Sequence, residues 1–397
     1  MPNDLLIQNV RPMGGPAADV LIRNGLIDRI GPDLTATVAG IETIEGDNCL
    51  LIPGFVEGHI HLDKTLLGLP WASRLESPSI REKIDNEKIL RRGMQVSVEE
   101  QAGKLIRLGI SQGTSHIRSH VDIDPDLGLS HLEGVMAARE HCKDAVSIQL
   151  VAFPQSGVMR LPGTAELIEE AVKAGADLVG GIDPAGIDGD AVGQLNATFA
   201  IAERHGVGLD IHLHDPGVLG LYQIGLIAER TRAHGFAGKV AISHAHCLGM
   251  IDDAQVGHAV ELLAESGISV MTIGAAYRPS LPLKALRDAG VLTFSGSDDV
   301  RDAWQPFGNA DMLERAMLVA YQCAFTTDEG LELTFAMATR GGARAMGLEG
   351  YGLEAGCAAD MVLLDGETLA EIVVARPPRK VVVKSGRVVA RDGELVV

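Results

Sequence analysis

Between Gly54 and Ser297 the chain repeats one pattern eight times: a short run of β-branched and aliphatic residues, a loop, then a stretch of helical period. The first strand opens at Gly54 and ends at His59 and His61. Helix Val98 to Leu108 leads to strand Thr114 to Asp122, and helix Leu129 to His141 leads to strand Val146 to Phe153. Thr164 to Ala174 reads as helix before strand Leu178 to Ile182, and Gln194 to His205 before strand Gly208 to His214. Helix Leu221 to Ala233 precedes strand Lys239 to His244, Ala254 to Glu265 precedes Ser269 to Ile273, and Leu283 to Ala289 precedes Leu292 to Ser297. Strands that alternate with helices build a parallel sheet, and eight is the number at which such a sheet closes. The expected fold class is therefore α/β, a (β/α)8 TIM-like barrel. A doubly wound open sheet is the rival, but no Gly-x-Gly-x-x-Gly follows the first strand. The length of 397 residues suits one large barrel rather than an ordinary single domain. Hydrophobic residues at 46%, 47 glycines and only 4% aromatics fit many short buried strands better than a helical bundle.

The ends of the chain have a different texture. Leu5 to Val10, Ala18 to Ile22, Leu26 to Ile30, Thr43 and Leu50 to Ile52 read as short strands separated by polar or Gly/Pro turns. Asp360 to Leu364, Lys380 to Val383 and Arg387 to Val389 are their counterparts, the last pairing through the turn Lys384-Ser385-Gly386. Neither end suffices for a sandwich alone, so residues 1–53 and 353–397 are expected to form one small β-sandwich module. Residues 54–352 are assigned to the barrel.

Charge and cysteine usage exclude several classes. With a net charge of −19 and no long Lys/Arg run, the chain lacks the basic surface that nucleic acid or an anionic membrane would need. The five cysteines, Cys49, Cys142, Cys247, Cys323 and Cys357, form no Cys-x-x-Cys, which predicts free thiols in a reducing compartment. Met1 to Asp4 show no basic stretch followed by an apolar run, and no segment approaches the ~18–20 apolar residues of a membrane span. A cytoplasmic protein is expected.

Barrel enzymes build their sites at the C-terminal ends of the strands. Here those ends carry His59, His61, Asp63 and Lys64 on strand one, His120 and Asp122 on strand two, and Gln155 after strand three. Strand five ends His212-Leu213-His214-Asp215, strand six Ser243-His244-Ala245-His246, and strand eight Ser297-Asp298-Asp299. Seven of the thirteen histidines lie at strand ends. Side chains two apart on a strand share a face, so His59 and His61 point the same way. His59, His61, His212 and Asp298 together supply three imidazoles and a carboxylate, a set suited to one Zn²⁺ or Fe²⁺ with an open position for water. Asp298 can both bind the metal and take the water's proton, and His244 is placed to hydrogen-bond the attacking oxygen.

Other motifs fail on context. Gly109-Ile110-Ser111-Gln112-Gly113 matches a nucleophile elbow, but it follows a helix and precedes a strand, the reverse of what that elbow needs. There is no His-Glu-x-x-His and no Pro-Cys-x-x-Cys.

The order His-x-His on strand one, His on strands five and six, and Asp on strand eight resembles the amidohydrolase superfamily. The tail Gly352-Leu353-Glu354-Ala355-Gly356-Cys357-Ala358-Ala359-Asp360-Met361-Val362 looks like that family's return into its β-module, so the resemblance spans essentially the whole chain. Members with two metals carry a bridging lysine at the end of strand four. Here Gly180-Gly181-Ile182-Asp183-Pro184 has none, which implies one metal. Within the superfamily, Phe55 to Asp63, Val151 to Gly157, and Ser297-Asp298-Asp299-Val300 with Trp304 to Gly308 are similar to the cytosine deaminase branch. That likeness implies ring contacts by Gln155 and Trp304 and a further polar contact by Asp299. Cytosine deaminases have His-x-x-Glu on strand five, however, where this chain reads His212-Leu213-His214-Asp215. That stretch, Lys64 and Asn309-Ala310-Asp311-Met312 look more like the s-triazine aminohydrolases that act on N-isopropylammelide. His214, Asp215 or Lys64 then stands in for the missing proton shuttle.

The resemblance implies hydrolytic deamination of a small N-heterocycle, releasing ammonia or an amine from an amidine-like ring carbon. Lys64, Gln155, Asp299 and Trp304 would fix the ring, which is cytosine-like, an aminotriazine, a pterin or creatinine-like. A homo-oligomer is also implied. The alternatives are ring opening of a cyclic amide by the same centre, and a metal-bound barrel without catalysis.

Overall fold

A computed structural model describes residues 4–34, 40–92 and 96–396. Met1, Pro2 and Asn3 of the N-terminal reading lie outside the described residues. The strands are β1 (Leu5–Pro12), β2 (Ala18–Arg23), β3 (Leu26–Gly31), β4 (Glu42–Pro53), β5 (Phe55–Ile60), β6 (Thr114–Asp122), β7 (Ser147–Phe153), β8 (Leu178–Ile182), β9 (Gly208–Leu213), β10 (Val240–His244), β11 (Ser269–Thr272), β12 (Thr293–Ser295), β13 (Met361–Leu364), β14 (Arg379–Lys384), β15 (Arg387–Arg391) and β16 (Glu394–Leu395). They form two eight-stranded sheets.

The first sheet joins both ends of the chain in the order β16-β15-β14-β13-β4-β1-β2-β3. All its pairings are antiparallel except β1 with β4. Alternation along its strands feeds two cores. Leu51, Met361, Leu363, Val381 and Val383 pack with Leu5, Ile7, Val20 and Ile22 inside the module. Their neighbours Leu50, Ile52, Val362, Leu364 and Val382 face the other way, into the large core beneath the barrel helices. The outer strand β3 returns against the approach to β13, where Leu26 bridges Ala358 and Ile27 N–H donates to Cys357 O at 2.9 Å. One sheet folded over thus makes both layers of the expected sandwich. Thr43 and Leu50 to Ile52, read as separate strands, belong to the single strand β4. Asp47 and Asn48 between them are not a turn but a bulge in left-handed conformation (φ +50° and +59°), opposite Asn9 (φ +51°).

The second sheet has the order β5 through β12, every neighbour parallel, with helices between consecutive strands. It is the (β/α)8 barrel, and the helices Val98–Ser111, Ser130–Cys142, Thr164–Ala174, Ala191–His205, Gly217–Ala233, Asp253–Ser266 and Leu283–Asp288 fall within a few residues of expectation. Helices Ile80–Arg92, Met312–Gln322 and Asp328–Ala336 were not anticipated. No helix among the described residues is long and apolar enough to cross a membrane.

The barrel closes between β5 and the turn after β12. Asp298 N–H donates to His59 O at 2.8 Å, and His61 N–H donates to Asp298 O at 3.3 Å. Glycine makes the approach possible: a Cβ on Gly296 would lie 2.5 Å from both His59 N and His59 O. Gly296→Ala is therefore expected to destabilise the fold by about 1–3 kcal/mol, the usual range for overpacking. Thermal unfolding checks this, and an unchanged melting temperature would show that the seam opens without penalty.

Candidate active site

The strands turn alternate residues to the barrel interior. On β6 and β9 these are polar, Arg118, His120 and Asp122 on one and Asp210 and His212 on the other, while Ile117, Val121, Leu209, Ile211 and Leu213 pack outward into the helix layer. Arg118 and Asp210 meet across the interior, Nη1 to Oδ2 at 2.9 Å, although their strands are not neighbours.

At the C-terminal end of the strands the histidines converge on Asp298. His59 Nε2 and His61 Nε2 lie 3.3 and 3.2 Å from Asp298 Oδ1. His59, His212, His244 and Asp298 each offer a ligand atom within 4.8 Å of the others, and so do His61, Asp298 and Asp299. The four-residue group thus holds His244 where His61 was expected, and His61 meets Asp298 in a second group with Asp299. Burial pushes His61 down to about 4, with Lys64 adding to the effect, and holds His120, His212 and His244 far below the ordinary imidazole value. These rings are neutral at pH 7.

A hydrogen-bond chain beneath His59 decides its tautomer. The Ser243 hydroxyl donates its only hydrogen to Asp210 Oδ1 at 2.6 Å, so at 3.0 Å from His59 Nδ1 it can only accept. Nδ1 then carries the ring proton, and Nε2 turns a lone pair toward Asp298 Oδ1. Two electron-rich atoms 3.3 Å apart suit a cation shared between them. Among the described residues, His61 Nδ1 and both ring nitrogens of His120, His212 and His244 are buried without a hydrogen-bond partner. Such a set fits one divalent metal. Arg118 completes the chain by binding Asp210 while its Nε donates to Gln149 Oε1 at 2.8 Å and its Nη2 to Ala345 O at 2.7 Å.

A polar wall stands beside this cluster. Lys64, 2% exposed, donates from Nζ to Asp122 Oδ1 at 3.2 Å and makes a short contact with Gln155 Oε1. Its Nζ is 5.7 Å from the centre of the Trp304 ring. Burial would lower the Lys64 ammonium, but Asp122, Glu87, Asp63 and Asp299 outweigh it and keep it charged. Burial pushes Asp122 up to about 7 against the pull of Lys64. Asp299 is raised well above the usual range by burial, Asp298 and Asp302. Lys64, Gln155 and Trp304 thus meet as expected, but through a residue that sequence reasoning missed. Glu87, on helix Ile80–Arg92, accepts from Trp304 Nε1 at 2.6 Å and from Gln155 Nε2 at 3.1 Å. No period marks it, because only Ile84 and Glu87 of that helix are buried. Asp210 left a legible signal, a charged residue between Leu209 and Ile211, whereas Arg118 sits on the largely polar strand β6.

His214 and Asp215 diverge. The His214 ring stacks on His244, centroids 4.4 Å apart, and its Nδ1 lies 2.8 Å from Asp183 Oδ2. Asp215 instead turns its Oδ2 to the Gly186 N–H and the Gln223 Nε2, both at 2.8 Å, and ties down the loop after β8. Strain collects at these strand ends: Asp183, His244, Ala245 and Asp298 have φ of +31°, +74°, +45° and +58°.

A family model described as "Amidohydrolase family" matches residues 81–390. N-isopropylammelide isopropyl amidohydrolase from Pseudomonas sp. (strain ADP) is 32% identical over 99% of this chain and 98% of its own length. The crystal structure of N-isopropylammelide isopropylaminohydrolase from Burkholderia multivorans ATCC 17616 superposes with a TM-score of 0.95 at 46% identity, covering 99% of this chain and all of that one. 5-Methylcytosine deaminase from Klebsiella pneumoniae, liganded with 5-fluorocytosine, superposes with a TM-score of 0.87 at 27% identity over 97% of both chains.

The chain beneath His59 can be tested apart from these likenesses. Ser243→Ala removes the acceptor that sets the tautomer and is expected to weaken retention of a divalent metal about 10–100-fold. Competitive chelator titration measures it, and unchanged retention would show that Ser243 does not orient His59.

Proposed function

The chain belongs to the amidohydrolase family, and from that premise we propose that it is a metal-dependent hydrolytic deaminase of a small N-heterocycle. One observation carries the reading: a carboxylate shared by buried imidazoles lies beside a polar wall built from Lys64, Gln155 and Trp304. His59, His61, His212 and Asp298 would hold the ion. When bound, a divalent cation of this kind supplies a water acidified toward neutral pH as the nucleophile.

The chain's own residues do the rest. Asp298, which a bound cation would keep ionised, accepts the proton of the attacking water and passes it to the departing amine. His244 hydrogen-bonds the oxygen as it adds to the ring carbon. His214 supports a second proton transfer better than its two rivals do. Asp183 holds its Nδ1 and leaves Nε2 for a substrate, whereas Asp215 is bound to the Gly186 loop and Lys64 is kept as a cation. Lys64, Gln155, Asp299 and Trp304 fix the ring. The likeness to N-isopropylammelide isopropylaminohydrolase supports an alkylamino-s-triazine as the first substrate to try, and the likeness to 5-methylcytosine deaminase supports an aminopyrimidine as the second.

Metal removal and Asp298→Asn are each expected to cut amine or ammonia release about 10²–10⁴-fold, the usual worth of positioned acid–base chemistry. The measurement is a release assay across aminotriazines, cytosine, a pterin and creatinine, run beside ring absorbance. Full release by both the stripped protein and the variant would sink the reading. Loss of ring absorbance without released amine would indicate ring opening instead.

A further inference from the structure

Helix Ile80–Arg92 lies outside the barrel repeat, yet it sends one carboxylate, Glu87, into the site. Glu87 is 2% exposed and uses both of its oxygens. Oε2 accepts from Trp304 Nε1 at 2.6 Å and Gln155 Nε2 at 3.1 Å, and lies 3.9 Å from Lys64 Nζ. Oε1 faces Arg91 Nη1 at 3.3 Å, one helical turn on. Gln155 follows β7, Trp304 follows β12 and Lys64 follows β5. Among the described residues Glu87 is the one that hydrogen-bonds both Gln155 and Trp304.

Gln155 also meets Lys64 Nζ and donates to Asp122 Oδ2 at 3.1 Å, and Trp304 packs on the cluster of Ile84, Phe153, Ile182 and Ile187, but it is Glu87 that ties the two to each other. Charge-assisted hydrogen bonds to one ionised oxygen fix both at once, and such bonds are shorter and stronger than neutral ones. Burial would raise the Glu87 carboxyl, but Lys64 and Arg91 outweigh it and keep it ionised. The second oxygen's pairing with Arg91 in turn fixes the carboxylate plane against its own helix.

We propose that Glu87 is a positioning residue that holds Gln155 and Trp304 in the orientation that receives the substrate ring, so that helix Ile80–Arg92 helps set ring specificity. This rests on the reading of Gln155 and Trp304 as ring contacts. Glu87 touches no reacting atom. Its loss weakens ring binding and leaves the Asp298 centre in place.

The chain has two tryptophans, and the other, Trp71, is 75% exposed. In a Trp71→Phe background the emission of Trp304 reports its contact with Glu87 without any substrate. Glu87→Gln is expected to shift that emission, leave metal content unchanged, and raise KM about tenfold or more while kcat falls less than about threefold, the pattern of lost ring binding rather than lost chemistry. Glu87→Asp keeps the charge but withdraws the carboxylate by one methylene, so it is expected to match Glu87→Gln. Rescue by Glu87→Asp would show that charge alone matters and overturn the positioning role. Trp304→Phe leaves the helix intact and removes the indole donor, so it is expected to raise KM even if the Glu87 variants fail to fold. The double variant Glu87→Gln/Trp304→Phe is expected to be no worse than the poorer single one. Unmoved Trp304 emission, a KM unaltered by Trp304→Phe, or fully additive losses would each overturn the proposal. Absence of turnover by the unaltered protein on every ring counts against the deaminase reading alone, because the emission shift is measured without it.

Discussion

Two backbone hydrogen bonds at the barrel seam govern the site. Asp298 N–H donates to His59 O, and His61 N–H donates to Asp298 O. To make both, the chain needs a glycine at 296 and a left-handed residue at 298. Asp tolerates that conformation better than most residues, at about 1–3 kcal/mol for a strained position. The result is a carboxylate delivered between two imidazole Nε2 atoms that come from the opposite edge of the sheet. The barrel thus closes at the point where its chemistry would occur, and whatever opens the seam also parts Asp298 from His59 and His61.

The rest of the polar interior is organised to keep that point rigid. Two buried ion-pair systems flank it: Arg118 with Asp210 below, and Lys64 with Asp122 and Glu87, the latter paired in turn with Arg91, beside it. Removing one partner from such a pair costs about 3–5 kcal/mol, a large share of a typical stability of about 5–15 kcal/mol. Apolar residues of similar volume are often as stable in such places. Stability alone therefore does not account for charged groups here. What they add is orientation: Arg118 and Asp210 act on the His59 tautomer through Ser243, and Lys64 and Glu87 act on the faces of Gln155 and Trp304.

Much of this was legible in the sequence because two periods coincide. Apolar runs separated by helical stretches announced the barrel, and within those runs the period-two polar residues marked its interior. His59 with His61, His120 with Asp122 and His212 with His214 could be read that way without coordinates. Asp210, charged between Leu209 and Ile211, carried the same signal. Helix Met312–Gln322 was not anticipated although its buried Met312, Leu313, Ala316, Val319 and Ala320 keep a helical spacing. Glu87 could not be read. Its partners Gln155 and Trp304 are 68 and 217 residues away, and its helix buries only one apolar side chain, so local pattern says nothing of its place. β4 misled for a related reason: Gly46-Asp47-Asn48 has turn chemistry, and only pairing with β1 makes it a bulge.

The strand-five departure from His-x-x-Glu follows the same logic of orientation. A glutamate there would reach the ring on a flexible arm. In this chain Asp183 takes the His214 N–H at 2.5 Å, the Asp215 N–H at 3.0 Å and the His214 ring Nδ1 at 2.8 Å. Three donors on one carboxylate leave the imidazole little freedom, and stacking on His244 limits it further. The positive φ of Asp183 belongs to the same arrangement, since its backbone must turn there to present both oxygens to the next strand's end. Strand five therefore offers a fixed ring nitrogen in place of a mobile acid, with Asp215 freed to pin the loop that carries Gly186. If His214 carries the proton as proposed, such a fixed shuttle would work over a narrower range of ring positions. The wall held by Glu87 would have to place the substrate correspondingly well, which makes His214 and Glu87 two halves of one requirement.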